Sequence, residues 1–429
     1  MAPSRIAQRH PSKLIVAFLP LAALLVAVAG PRESYAGGPL TLTVNSAGDA
    51  SDLYLGDEVC NTVVFDDVCT LRAALQETNF LAAGGDPQQF LVVVQALTIA
   101  PASALPTISS NLHIDGAGVG STIINGASAG ASPILSIATG KAVEIEGVTI
   151  RGGTGGGIHN HGTLTLQHSS VSDNSTTSNG GGIASDLAGA TVEVYDSTIN
   201  GNSAVAGEGG GIYAGAGSEV WLERSTLSGN SAVRGGGLML KGSGTVVNAT
   251  LSGNSASEST DHGGTAIYFS GASASDELWV NNATIAGNTG LAAFAHVGAV
   301  GSMAWIYNSI FADNQSANCA IVRGYGEAYD FDDDDSCFFG DTSVGGDALL
   351  LPLGNYGGPT QTRRPVHGSP VIDAGHPTGC TLDAVPITTD QRGWPRPLDG
   401  DHNGTARCDV GAVEVGWDVF LPLVLRNWP

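Results

Sequence analysis

Basic residues are scarce in this chain. Lysine and arginine together number 17 in 429 residues, against 40 aspartates and glutamates, giving a formal charge of −23 at neutral pH. Such a surface repels DNA, RNA and anionic lipid, and it disfavours an anionic polysaccharide bound without a metal ion. No C-x-x-C pair occurs among the six cysteines, which argues against a zinc site or thioredoxin-like chemistry. Beyond residue 36 there is no apolar run long enough to cross a bilayer. The best helical candidate beyond residue 36 is segment 69–79, with Leu71, Ala74 and Leu75 on one face and Thr70 placed to cap its start.

The first 36 residues read as an export signal. Arg5, Arg9 and Lys13 precede the apolar stretch 14–29, and small residues lead to a cleavage point after Ala36. The alternative is an uncleaved anchor, but 16 apolar residues with Pro20 among them fall short of the ~20 that span a bilayer. Residues 1–36 hold four bases and one acid, so the remainder carries −26 and keeps two lysines, Lys141 and Lys241. The expected protein is secreted or held at the cell surface, with no membrane span after cleavage and no nucleic-acid partner. In an exported chain the cysteines are read most simply as three local staples, Cys60 with Cys69, Cys319 with Cys337 and Cys380 with Cys408, although six thiols allow 15 pairings.

What the chain has in abundance is glycine, 61 residues, in a repeating context. Aligning on the apolar residue of "TLSGN" gives seven anchors: Ile150, Val171, Ile199, Leu227, Leu251, Ile285 and Ile310. Asparagine follows three residues later at Asn174, Asn202, Asn230, Asn254 and Asn288, and in the last unit slips by one to Asn314. Thr or Ser precedes every anchor. Five and seven residues before the anchors lie apolar pairs, from Val143/Ile145 to Met303/Trp305, with Gly244/Val246 the exception. A glycine triplet ending in Ile158, Ile183, Ile212 or Leu238 interleaves with these units.

Odd offsets place the pairs and the anchor on one side of short strands, while Glu144, Thr165, Glu193, Trp221, Thr245 and Trp279 fall on the other and should face outward. About three strands per unit, glycine corners and a recurrent asparagine fit a right-handed parallel β-helix of nine or ten coils, the asparagines stacking as a ladder. An antiparallel sandwich gives no reason for an asparagine register held over five units. Degenerate coils are expected at 111–118, 121–126, 133–137 and 142–150, with 90–99 opening the stack. Residues 37–89 are then an N-terminal cap with its helix near 70–79, 90–318 the β-helix, 319–416 a disulfide-stapled module and 417–429 a tail, either a sorting segment or a final strand.

Three resemblances support this division. Residues 41–52, Gly56-Asp57, Cys60 and "CTLRAALQETN" (69–79) resemble the CSLREA domain of exported bacterial β-helix proteins, with Thr70 and Ala73 replacing the signature's first Ser and its Glu. The repeats are similar to those of polymorphic outer-membrane proteins, with Ile, Leu or Val in the Phe position of FxxN. "LPLGNYGGPTQT" (351–362), "HGSPVIDAG" (367–375), "TDQRGWPRP" (389–397) and "CDVGAVE" (408–414) resemble the choice-of-anchor C-terminal module. These resemblances imply a secreted or surface-displayed protein and no known reaction.

Candidate chemistry is sparse. "DGDHNG" (399–404) opens like a calcium loop: Asp399, Asp401 and Asn403 would give side-chain oxygens, Thr405 a carbonyl, and Asp409 would stand in for the missing bidentate Glu. The alternative is an acidic turn held by Cys408. The acid run in 329–337 is read chiefly as a solvated loop. His159, His161 and His168 form a cluster in which the first two share a strand face and could bridge a transition metal, although surface histidines are commoner. Tyr195, Trp221 and Trp279 should project outward, either as stacked surface side chains or as a platform for an extracellular glycan or surface protein. The expectation is a non-catalytic scaffold of the adhesin type. The competing reading is a polysaccharide lyase or glycoside hydrolase on a pectin-lyase-like fold, for which basic residues and a close carboxylate pair are wanting.

Overall fold

The computed structural model describes residues 39–63, 67–85, 89–259, 263–320, 329–337, 345–377, 379–382 and 385–416. The expected export signal and C-terminal tail lie outside the described residues.

The anchors and apolar pairs alternate with polar residues over short β-prone stretches, and each such stretch is a strand paired in parallel with its counterpart one coil away. Three parallel sheets result. Sheet 1 has ten strands, from Thr41–Val44 to Met303–Tyr307. Sheet 2 has ten, from Thr98–Ile99 to Phe331–Asp332. Sheet 3 has eight, from Leu135–Ile137 to Cys319–Ala320. A minor four-stranded sheet, Ser175–Thr176 to Ser255–Ala256, lies between sheets 2 and 3 in chain order. The fold is a parallel β-helix, as the repeat requires. The stack opens earlier than residue 90, because Thr41–Val44 pairs in parallel with Leu91–Val94.

The core is three sets of like-on-like columns. In sheet 1, Ile145, Leu166, Val194, Leu222, Val246, Val280 and Ile306 stack rung upon rung, each at most 1% exposed. Ile150, Val171, Ile199, Leu227, Leu251 and Ile285 do the same in sheet 2, and Ile158, Ile183, Ile212, Leu238, Ile267 and Phe294 in sheet 3. Burying one such side chain contributes about 1.5–3 kcal/mol. Gly244 breaks its column because a Cβ there would meet Leu240 Cδ2 at 2.9 Å, so the neighbouring leucine fills the space.

The last rung corrects the repeat alignment. Ile285 pairs with Phe311, and Thr284 with Ile310. Phe311 is therefore the anchor, Asn314 keeps its place three residues later, and no slip occurs. The inward pair becomes Ala304 and Ile306, each 1% exposed, while Met303 and Trp305 turn outward. Alignment on the apolar residue after Ser309 misled because Ile310 and Phe311 are both apolar, and both are buried for different reasons.

The asparagine ladder is continuous. The Nδ2 amides of Asn174, Asn202, Asn230, Asn254 and Asn288 each donate to the Oδ1 of the next asparagine at 3.0–3.1 Å, ending on Asn314. Each also donates to a carbonyl of the preceding coil, as Asn230 does to Ile199 O at 2.9 Å. Each Oδ1 from Asn202 onward accepts the backbone N–H of the asparagine below, as Asn230 Oδ1 does from Asn202 N at 3.0 Å. The glycine triplets wall this column: a Cβ on Gly182 would lie 3.0 Å from Asn202 Nδ2 and 2.6 Å from Gly211 O. The triplet's first glycine, Gly180, turns the corner at φ +73°.

A second ladder, of serine, joins sheets 1 and 2. Val148, Ser169 and Ser197 donate their backbone N–H to the hydroxyls of Ser169, Ser197 and Ser225 at 3.0–3.2 Å. The residue before each rung of this corner is left-handed, from His168 and Asp196 to Asn248, Asn282 and Asn308 (φ 46–49°). Asn and Asp tolerate that conformation best among side-chain-bearing residues.

One α-helix is present among the described residues, α1 (Leu71–Ala83), with Thr70 as N-cap, its hydroxyl accepting from Ala73 N. It runs four residues past Asn79. Leu71, Ala74 and Leu75 are fully buried against the first coils, as expected of a lid. The disulfides are Cys60–Cys69, Cys319–Cys337 and Cys380–Cys408.

Replacing Asn230 by Ala should unpair Ile199 O and Asn202 N inside the stack and lower stability by about 3–5 kcal/mol, whereas Val205→Ala on the exposed surface should cost under about 0.5 kcal/mol. Urea unfolding midpoints of the two variants check this.

Candidate functional site

Outward residues of sheet 1 form two columns, because the register holds over ten rungs. The first runs His113, Glu144, Thr165, Glu193, Trp221, Thr245, Trp279, Trp305. The second runs Asp115, Glu146, Gln167, Tyr195, Glu223, Val247, Asn281, Tyr307. The early rungs are acidic and the late rungs aromatic.

The expected aromatic residues are all on this face, half-buried. Trp279 stacks on Trp305 (5.4 Å between centroids, 22° between planes) and lies alongside Tyr307 (6.2 Å, 18°). Trp305 and Tyr307 were not foreseen as outward residues, a consequence of the misplaced last anchor. Trp221 lies two rungs from Trp279 in the same column, its indole N–H donating to Glu223 at 3.1 Å. Tyr195 stands apart in the second column, and burial beside Glu193 and Glu223 pushes its hydroxyl pKa far up. Glu193 points outward but is only 6% exposed, covered by its neighbours. Burial raises its pKa, against a hydrogen bond from Thr165. Glu223 and Glu193 sit in different columns, and Glu223 pairs with Arg224, whose guanidinium also grips Asp196 bidentately at 2.8 and 3.0 Å.

At the acidic end an open groove of about 610 Å³ is lined by Asp115, Glu146, His168 and Asp196, the turn 116–119 and Pro359. Glu146 sits between His113 (3.7 Å) and His168 (3.6 Å). No lysine or arginine is among the described residues lining it. His168 is thereby separated from the cluster expected with His159 and His161.

Those two histidines form a different group with Asp186. His159 closes on the rung face of sheet 3 and His161 occupies the turn after it, their rings 4.2 Å apart. Both Nε2 atoms lie on one oxygen, Asp186 Oδ1, at 3.1 and 3.0 Å. Partial burial works against the Asp186 charge, but the bond from His159 and the two imidazoles outweigh it and lower the pKa. Asp186 was legible as the residue one rung beyond His161, had the turn columns been aligned as the strands were.

The calcium loop divides. Asp399 and Asp401 turn their oxygens onto the backbone N–H of Asn403 and Gly404, Asn403 Nδ2 donates to Asp401, and Asn403 Oδ1 accepts from Thr405 N. Asp409 does not join them. It is fully buried, its oxygens accepting from Asp373 N and Val415 N at 2.6 Å. Sequence spacing placed it near the loop, but burial in the interior network takes it away.

The acid run is solvated in part: Asp333, Asp334 and Asp335 are exposed, whereas Asp330 and Asp332 are buried. Asp332 and Asp333 both accept from Asn318 Nδ2 at 2.6 Å, and Asn318 in turn receives Asn314 Nδ2 at 2.7 Å, so the acids terminate the asparagine ladder. Asp330 is fully buried, accepts from Ser309 N, and burial pushes its pKa up to about 8.

The residues of the C-terminal motifs dock this segment on sheet 2. Thr226 donates to Gln361 O, Thr250 to Gln391 Oε1 at 2.6 Å, and Thr284 accepts from Ala412 N at 3.0 Å. Gln391, fully buried, spends its Nε2 on Ser225 O, Thr226 and Thr360. Behind it Asp390 pairs with Arg392 and Glu414 with Arg396, all four at most 5% exposed. Where the threonine column gives way to Ile310, an apolar cluster with Val371 and Val410 takes over. These motifs are explained as an interface within the chain.

No family model matches this sequence, and no curated protein matches it. Among solved structures it is similar to the crystal structure of pectate lyase Pel9A, at 12% identity over 88% of this chain and 98% of that one, with a TM-score of 0.46. That likeness concerns the fold and carries nothing about chemistry.

Asp330 binds its proton more tightly folded than unfolded, so its burial favours stability below pH 4 and that contribution is lost as pH rises toward 8. Asp330→Asn should flatten this dependence, so that the variant gains on the parent between pH 5 and pH 8.5. Urea midpoints at the two pH values measure the difference. Arg396→Met should strand Glu414 without its cation and cost about 3–5 kcal/mol, with faster proteolytic cutting within 345–416 under limiting protease.

Proposed function

We propose that this chain is an exported, non-catalytic scaffold of the adhesin type that binds a neutral extracellular glycan, or a surface protein carrying one, along the outer face of sheet 1. The carrying observation is the group of half-buried aromatic rings in which Trp279 lies near-parallel to Trp305 and Tyr307, both on the next rung. Stacking covers the ring faces between the two rungs, so a sugar would pack against the outer faces and edges that remain. Export is supported by three disulfides, by the leader-like first 36 residues and by the CSLREA-like and choice-of-anchor-like segments. The net charge argues for a neutral ligand over a uronate polymer.

The enzyme reading draws its support from the groove with Asp115, Glu146, His168 and Asp196. A hydrolase needs one carboxyl held protonated beside one ionised. A lyase needs a base beside a cation-bound uronate.

A glycan array probed with the full chain should return a neutral oligosaccharide. Trp279→Ala and Trp305→Ala should each weaken it by about 0.5–1.5 kcal/mol, roughly two- to tenfold, with Val205→Ala, exposed and outside sheet 1, as an inert control. Binding that ignores both tryptophans overturns the proposed face. New reducing or unsaturated ends in the same incubations, abolished by Glu146→Gln, would replace the scaffold reading with the enzyme.

A further inference from the structure

We infer that His159, His161 and Asp186 form a binding site for a divalent first-row transition ion of the zinc class, bridging two successive coils.

The three donor atoms are already gathered. The imidazole Nε2 atoms lie 3.1 and 3.0 Å from a single Asp186 oxygen, and all three atoms lie within 4.8 Å of one another. Ligands held at 2.0–2.2 Å on a tetrahedral or octahedral ion stand about 2.9–3.4 Å apart, so both nitrogen–oxygen separations match a coordination edge. Two imidazoles and a carboxylate are the donor set that suits Zn²⁺, Ni²⁺ and Cu²⁺, and an all-oxygen ion such as calcium finds too few partners here.

The coil geometry makes this meeting specific. His159 pairs with Ser136 on one side and Ala184 on the other, side chains too short to cover its ring. His161 leaves the strand into the turn before sheet 1, and Asp186 occupies the matching turn one coil on. That turn carries Gly215, Lys241, Ser270 and Val297 in later coils, so none of those pairs a carboxylate with a histidine from the rung below. The side chains are 32%, 38% and 50% exposed, which leaves solvent positions to complete the coordination shell. The ion replaces the hydrogen bonds that two imidazoles now direct at one oxygen, and it would staple the second and third rungs of sheet 3 without touching the aromatic face.

The test uses the full chain without an affinity tag, stripped with chelator and dialysed. Calorimetric titration with zinc chloride near pH 7.5 should show one ion per chain with micromolar affinity, and copper(II) electron paramagnetic resonance should show two nitrogen ligands. His159→Ala and His161→Ala should each weaken zinc at least about tenfold, as removal of a ligand must, and Asp186→Asn should weaken it as well. His168→Ala should leave it unchanged. No zinc binding at 100-fold excess, a signal with one nitrogen or none, or affinity that responds to His168 and not to His161 would overturn the site. The wild-type spectrum decides the matter even if a variant misfolds.

Discussion

The structure depends on a buried column of primary amides. Each ladder asparagine occupies both amide hydrogens and its oxygen with partners in the coils above and below. In a low-dielectric interior an unpaired amide costs more than a made bond returns, so the column tolerates no gap and no shift. That single demand dictates its surroundings. The residue before each asparagine must be left-handed, as Gly201, Gly229, Gly253 and Gly287 are. At Gly157, Gly182, Gly211 and Gly237, the third glycine of each facing triplet, a Cβ would touch the next coil's carbonyl and the amide together, and Ala266 and Ala293 take this place in the last coils. Spacing between asparagines is then free to vary, from 24 to 34 residues, because the excess leaves the stack as loops.

A fixed register converts sequence positions into surface columns, and this chain uses each face differently. Sheet 2 presents threonine hydroxyls to the C-terminal segment, which answers with Gln361, Gln391 and Ala412. The ionic pairs behind that contact are fully desolvated, so they bring little net stability. Their effect is selectivity of docking: each buried guanidinium has one arrangement of acceptors, Arg396 reaching Glu414, Gly411 O and Asn248 together. A shifted segment would bury unpaired charges. Sheet 1 is the face left with unspent chemistry.

The fold was legible because its causes are local and repeated. Anchor, asparagine and glycine triplet recur, and the three disulfides close short loops. Legibility failed where two adjacent residues shared a property. Ile310 and Phe311 are both apolar, and only the partner strand reveals that one faces the core and the other the docked segment. It failed again where burial was imposed by something distant in sequence: Asp409 read as a calcium ligand and Asp332 as a solvated acid, yet one is enclosed by the C-terminal network and the other by the end of the ladder. Asp115, Glu146 and Asp186 were missed because no motif marks them. They become a groove and a cluster only after coils are superposed.

If sheet 1 is the binding face proposed above, its two ends constrain the partner in opposite ways, and the conflict narrows the choice. Aromatic stacking accepts any sugar ring with an apolar face. The groove beyond it holds Asp115 and Glu146, with Asp196 taken up by Arg224, and the chain as a whole is strongly acidic. A polyanion threaded along the face would gain stacking over Trp279 and Trp305 and lose more as it approached the carboxylates, since like charges repel across a few ångströms even at high effective dielectric. Only a cation held between them would reverse that. A neutral chain meets no such penalty, because its hydroxyls can donate to the same acids that repel a uronate. On that reading, the polarity that repels a polyanion becomes a hydrogen-bonding surface once the ligand carries no charge.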